Sequence, residues 1–319
     1  MDLATVWFVL IAFLWTGYFV LEGFDFGVGA LLPLLARDEA ERRQVLATIG
    51  PVWDGNEVWL ITAVGAMFAA FPGWYAGLLS GFYLPVLMVL AALIVRGVGL
   101  EWRGKVRSAR ERALCDAGIV AGGFLPAFMW GAIFGDLLGG TAPATVAGGV
   151  FSLTIALLHG AVFVALKTDG PVRERARRTG LVVAVAAVPA ALAALPAIPA
   201  AAAPLAAWTA QPVPWLTAGA ATAALAAAVA LLWRRREGWA FTATAAAITG
   251  ATAALFAVLW RSPLPGLTVA EAASGPYTLT VMTWIGVAVL PFVLAYQAWT
   301  YWIFRKRLAG PDPRDPRPA

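Results

Sequence analysis

Residues 5–34 read TVWFVLIAFLWTGYFVLEGFDFGVGALLPL. An apolar run of this length is enough to cross a hydrocarbon core of roughly 30 Å as a helix. It is too long and too decorated for a signal peptide. No basic segment precedes it, and Glu22 and Asp25 stand where a small-residue cleavage site would be needed. The expectation is a retained first span that carries two acids within the bilayer.

The rest of the chain repeats the theme. Hydrophobic residues make up 61% of the 319 and charged residues 13%, against roughly 25% charged in a soluble domain. Further runs predict spans at 49–71, 74–95, 114–137, 145–166, 180–202, 214–233, 239–260 and 278–304. They are rich in Ala, Leu and Val without the alternation of barrel strands, so the fold class is an all-α polytopic membrane protein of nine transmembrane helices. The single Cys115 excludes an intrachain disulfide. The net charge of +5 does not point to nucleic acid, because the cations cluster in short links. Counted loop by loop, with Arg96 at the inner end of span 3, all but one of the 23 Lys and Arg fall on one side; the exception is Arg261. The positive-inside rule makes that side cytoplasmic, with the N-terminus outside and the C-terminus inside. The Pro-containing link between spans 6 and 7 is the most irregular stretch, and the Pro-rich charged tail 309–319 reads as disordered.

Acids inside a span are costly, so they are candidate functional groups. Glu22 and Asp25 in span 1, and Asp54 and Glu57 in span 2, are each spaced i,i+3 and share a helix face. Counting from the basic residues at about 1.5 Å per residue puts Asp25 and Asp54 at one depth, reachable from the cytoplasm. Such a cluster could pass protons, bind a cation or hold another subunit; the plainer reading is that it pairs with Arg96 and fixes packing. Gly23, Gly27 and Gly29, and the Gly77/Gly81 pair, suit close helix packing. His159, the only histidine, reads as structural or hydrogen-bonding. Trp53 and Trp59 flank the acids of span 2, whereas Trp74, Trp208, Trp215 and Trp302 suit an interfacial belt. The sequence carries no Walker loop, zinc motif or catalytic triad.

The segments EGFDFGVG at 22–29, PVWDGNEVWLITA at 51–63, SGFYLPVL at 80–87 and VMTWIGVAVLPFVLAYQAWTYW at 281–302 resemble the second subunit of cytochrome bd-type quinol oxidases. The resemblance runs from the N-terminus to about residue 135 and returns in span 9; residues 140–275 match weakly. It implies two four-helix bundles, 1–138 and 139–262, with a peripheral ninth helix and its connection in 263–308. It also implies a bacterial inner-membrane enzyme subunit. The partner would be a haem-bearing subunit I that oxidises quinol and reduces oxygen to water with two b-type haems and one d-type haem. No cofactor would be bound by this chain itself, and the resemblance leaves open a small single-helix subunit.

By the same resemblance, Asp54 aligns with a carboxylate on a cytoplasmic proton route and Asp25 with a second intramembrane acid. Arg96 aligns with a basic residue, Trp53 belongs to the motif around Asp54, and Trp59 aligns with an aromatic residue near an oxygen path. Glu22 is variable but often acidic in the family; Glu57 replaces a residue that is often an amide and enlarges the acidic set. The alternative is an ion-coupled secondary transporter using the same acids. Confinement of those acids to two spans, with no repeat between the halves, speaks against it.

Overall fold

The computed structural model describes residues 2–201, 212–260 and 262–309. The expectations for Trp208 and most of the 6–7 link, for Arg261, and for the tail from residue 310 lie outside the described residues.

The described chain is helical, apart from two isolated β-bridges. Its elements are α1 (Leu3–Leu35), α2 (Glu39–Ala47), α3 (Trp53–Ala70), α4 (Pro72–Gly81), α5 (Tyr83–Trp102) and α6 (Ala109–Gly139). There follow α7 (Ala142–Lys167), α8 (Pro171–Ala201), α9 (Pro212–Trp233), α10 (Glu237–Leu259), α11 (Val269–Ala272) and α12 (Pro276–Ile303). Among the described residues eight helices are long and apolar enough to cross a membrane. The expected second span is α3, only 18 residues long, with Asp54, Asn56 and Glu57 in its first turns; it is too short to offer a full apolar stretch beyond that polar start, which sets it apart from the eight.

Three expectations are corrected. Span 3 is broken: α4 and α5 meet at Phe82, whose φ of −115° and ψ of 33° leave the helix. Pro85 is the physical reason, because it has no N–H for the Gly81 carbonyl and its ring crowds that carbonyl. The 1–2 link holds a polar helix, α2, capped by the Asp38 side chain. The straight count from Arg43 to Asp54 therefore fails, and Asp54 lies in the first turn of α3. Arg96, counted as a loop cation, is wholly buried within α5.

α1 is the axis of the molecule. Residues Glu22 to Gly29 are all buried, and α1 packs against α3, α6, α7 and α10. Glycine makes the closest crossings possible. A Cβ at Gly27 would lie 2.9 Å from the Gly160 Cα of α7, and one at Gly123 of α6 would lie 2.7 Å from the Ala30 nitrogen. Gly23 makes no such approach, Gly77 meets only the Leu264 side chain, and Gly81 faces open space. The small-residue reading thus holds for Gly27 and Gly29, and fails for the Gly77/Gly81 pair. Aromatic rings fill the core toward the start of α1, where Phe8, Trp15, Tyr18, Trp74, Trp130 and Phe134 pack together; α7 to α10 pack through Ala, Leu and Ile.

One end of the molecule is laced by ion pairs between links far apart in sequence. Arg103 donates to both oxygens of Glu39 at 2.9 Å and to Asp116 at 2.5 Å, and Asp116 also pairs with Arg42. Arg175 donates to Glu41 at 2.8 and 3.1 Å, and Arg173 to Glu237 at 3.1 Å. The chain after α12 joins the same end: the Leu308 N–H donates to the Lys167 carbonyl at 2.7 Å, and Gln44 Nε2 donates to the Leu308 carbonyl at 3.1 Å. The basic links expected on one side are therefore together at one end. Elsewhere α12 is apolar and outward-facing, with 6% of its most apolar stretch buried.

Gly27→Ala should force α1 from α7 and cost about 1–3 kcal/mol, while Gly81→Ala, which meets no atom, should leave the unfolding midpoint unchanged; thermal unfolding in detergent compares them. A second expectation concerns acid. Hydrogen bonds from Arg175, then from the Arg37 N–H, hold Glu41 below its ordinary value of 4.5. A depressed carboxyl stabilises fully above its unfolded value, and that contribution is lost as pH falls through the folded one. The unfolding midpoint should hold level from neutral pH to about pH 5 and then fall. Glu41→Gln should lower the midpoint at neutral pH and flatten the acid limb.

Candidate functional site

The buried polar residues of α1, α3 and α5 meet at one place. Glu22 and Asp25 project from α1 one turn apart, and both are 0% exposed. Arg96 of α5, also 0% exposed, forms an ion pair with Glu22 and lies 3.6 Å from Glu57 of α3. Its guanidinium sits 5.1 Å from the centre of the Phe26 ring, a cation–π contact between two buried groups. Glycine again permits the approach: a Cβ at Gly122 of α6 would lie 3.1 Å from the Arg96 Cα.

Asp25 does not contact Arg96 directly. Its Oδ2 accepts from Asn56 Nδ2 at 2.7 Å, and the same amide reaches the Leu21 carbonyl at 3.4 Å. Asn56 Oδ1 accepts from Tyr301 Oη at 2.8 Å and from Gln297 Nε2 at 3.2 Å, both from α12. The set lies toward the ion-paired end, since Asn56 is one turn into α3 and Tyr301 is in the last turn of α12.

Of the four acids expected to meet, three do so. Glu22 is at Arg96, Glu57 is at the edge with its side chain 25% exposed, and Asp25 is bound through Asn56. Asp54 is exposed on α3 and, among the described residues, makes none of these contacts. Helix geometry explains the difference: Asn56 takes the inward direction, and two residues along a helix is about 200° of rotation. Trp53 is half-buried, 3.5 Å from where a Cβ of Gly97 on α5 would lie. Trp59 is half-buried over Gly17 and meets Phe13 edge-on at 5.6 Å.

Asn56, Gln297 and Tyr301 escaped the sequence reading, which searched spans for charge alone. A signal existed: an amide in an apolar span carries the same need for a partner. Gln297 and Tyr301 are also spaced i,i+4, on one face of an otherwise apolar helix.

Glu22 is held directly by the Arg96 guanidinium, and Glu57 lies within charge range of it. Among the described residues, Oδ1 of Asp25 has no hydrogen-bond partner. His159 is different. Its Nδ1 is 2.6 Å from the Thr244 hydroxyl, its Nε2 is 3.1 Å from the Val20 carbonyl, and its ring stacks on Phe241 at 4.6 Å. A carbonyl only accepts, so Nε2 carries the hydrogen. With both nitrogens engaged, His159 does not fit as an axial haem ligand. Among the described residues no group of His, Cys, Asp and Glu could hold a metal ion.

A family model described as cytochrome bd terminal oxidase subunit II matches residues 3–304. The chain is 36% identical to the cytochrome bd ubiquinol oxidase subunit 2 of Bacillus subtilis, over 98% of each chain. It is 34% identical to the cytochrome bd-I ubiquinol oxidase subunit 2 of Escherichia coli K12, over 96% of this chain and 95% of that one. A chain in the structure of bd oxidase from Geobacillus thermodenitrificans superposes with a TM-score of 0.75 at 19% identity, covering 95% of this chain and 99% of that one. That last likeness is one of fold.

Arg96→Met should leave buried carboxyls without their cation and cost about 3–5 kcal/mol. Adding Glu22→Gln should recover part of the loss. Thermal unfolding of the detergent-purified protein measures both, and a wild-type midpoint for Arg96→Met would contradict the pairing.

Proposed function

The chain belongs to the cytochrome bd terminal oxidase subunit II family, and on that premise we propose that its buried carboxyl cluster takes up protons from the cytoplasm for the reduction of oxygen. As a family member the chain is a multi-pass protein of the bacterial inner membrane and a subunit of a quinol-oxidising oxidoreductase. Membership sets the transporter alternative aside.

The observation that carries the reading is the single guanidinium of Arg96, paired with the wholly buried Glu22 and with Glu57 at its edge, while Asp25, equally buried one turn along α1, is bound by the Asn56 amide instead of a cation. One cation balances one carboxylate. A proton is the natural counter-charge for the next, because an uncompensated charge at this depth is costly. The cluster therefore holds a proton that it can exchange. Reducing oxygen to water consumes one proton for every electron, at a site buried in the complex. Haems on the partner subunit, two of b-type and one of d-type, supply the electron transfer.

The roles divide along the elements. Glu22 and Asp25 hold protons on α1, Arg96 sets their charge balance, and Glu57 leads from the buried set to the surface of α3. Asp54 and the apolar side chains Val58 and Ile61 are exposed on that surface. We assign this face to the haem-bearing subunit I, with Asp54 delivering protons across the junction and Trp53 holding the start of α3 on α5. Trp59, on the same helix, borders the path by which apolar oxygen enters from lipid. The layout proposed is nine crossings, with α3 as the second and α4 plus α5 as the third, the N-terminus outside and the ion-paired end in the cytoplasm. It divides into two four-helix bundles, 1–138 and 139–262, with α12 beside them. A small single-helix subunit would join this assembly without changing the proton route.

A tagged chain should purify with a larger haem protein whose reduced spectrum includes haem d. In that complex Asp25→Asn and Asp54→Asn should each lower quinol-driven oxygen consumption about a hundredfold at unchanged haem content. Wild-type turnover with full haem content removes the substituted residue from the route.

A further inference from the structure

The four hydrogen bonds of the Asn56 side chain set the orientation of its amide. One edge faces the Leu21 carbonyl and Oδ2 of Asp25, which are acceptors; the other faces the Tyr301 hydroxyl and Gln297 Nε2. Reversing the amide would set its oxygen against a carbonyl and a carboxyl oxygen at once. The NH2 group therefore points at Asp25, and Asn56 Oδ1 receives two hydrogen bonds from α12. Every donor and acceptor of a wholly buried amide is used.

This order has a consequence for Asp25. A carboxyl oxygen can accept an amide hydrogen in either state, more strongly as a carboxylate oxygen and less strongly as the carbonyl oxygen of the neutral acid. The bond to Oδ2 thus persists in both protonation states. Oδ1 is buried and, among the described residues, has no hydrogen-bond partner.

We infer that Gln297 and Tyr301 of α12, acting through the Asn56 amide, are positioning residues that make Asp25 a one-sided acid, with Oδ2 held as a permanent acceptor and Oδ1 as the oxygen that gains and loses the proton. When Oδ1 takes a proton, the carboxylate becomes the neutral acid and the amide bond stays in place. When Oδ1 gives it up, nothing else in the chain rearranges. The inference rests on the proposed role of Asp25 in proton uptake.

α12 can serve this purpose because it is pinned on both sides of the bridge. Trp7 Nε1 donates to Thr283 Oγ1 at 3.0 Å toward one end. At the other end the Leu308 N–H donates to the Lys167 carbonyl and Leu308 receives the Asp169 N–H at 3.2 Å. Gln297 and Tyr301 are half-buried on a helix whose other large side chains mostly face outward. Glu22, Glu57 and Arg96 are the charged groups that share the cluster with Asp25.

The test uses the intact oxidase complex with Tyr301→Phe and Gln297→Met, each of which removes one donor to Asn56 and little volume. Infrared difference spectroscopy reads the C=O stretch of protonated carboxyls, and loss of a band in Asp25→Asn assigns it to Asp25. That band should shift in both variants. Turnover in the double variant should fall about tenfold, the effect of one buried hydrogen bond. In the Asp25→Asn background the same substitutions should cause no further fall. An Asp25 band unmoved in both variants, or no band assignable to Asp25, overturns the inference. So does a fall as large without Asp25 as with it, which is the signature of a structural effect. If Tyr301→Phe fails to assemble with haem, Gln297→Met supplies the same band reading with the hydroxyl in place. Wild-type turnover of Asp25→Asn would sink the proton-uptake reading separately, and the band would still decide which oxygen is held.

Discussion

A guanidinium does not give up its proton, so a buried arginine in a membrane protein must bring its counter-charge with it. Arg96 imposes that condition on the whole first half of this chain. Glu22 must face α5, Glu57 must start α3 beside it, and Phe26 must offer the face of its ring. Gly122 must lack a side chain so that α6 can lie against the Arg96 backbone. The rotation of α1 is then set, and with it the position of Asp25. Such a cluster contributes specificity more than stability, because the desolvation of its members offsets most of their attraction.

The packing around the cluster follows from the same need for close approach without water. α1 crosses α7 at Gly27 and Gly160, and α6 at Gly29 and Gly123, where backbones nearly touch. Dispersion and weak polar contacts hold helices together in lipid, and small residues let them act at short range. The polar lacing is confined to one end, where Arg103, Arg173 and Arg175 tie together links that are far apart in sequence. That end also anchors the chain after α12, so an outward-facing helix reaches the buried site at a defined height.

Much of this was legible from local pattern. Apolar runs bounded by basic clusters mark the helices, and the family segments mark the same stretches that build the site. Acids in spans 1 and 2 flagged the site because charge at that depth needs a reason. Less legible was where each side chain turns. Asp54 and Glu57 share a face by spacing, yet Asp54 is exposed while Asn56 takes the inward direction. The break at Phe82 and the polar helix α2 were equally hidden, since hydropathy averages over a window and passes through a single proline.

The sequence by itself determined the membrane class of the protein, the rough position of its helices, its family and its two wholly buried acids, Glu22 and Asp25. Those are properties of composition and of order along the chain. Only the tertiary structure decided that Asp25 is bound through Asn56 rather than by Arg96, and that Gln297 and Tyr301 complete the bridge. The reason is geometric. Hydrogen bonds depend on the rotation and height of helices that lie more than 240 residues apart in the chain, and these are set by packing among all of them rather than by any one segment.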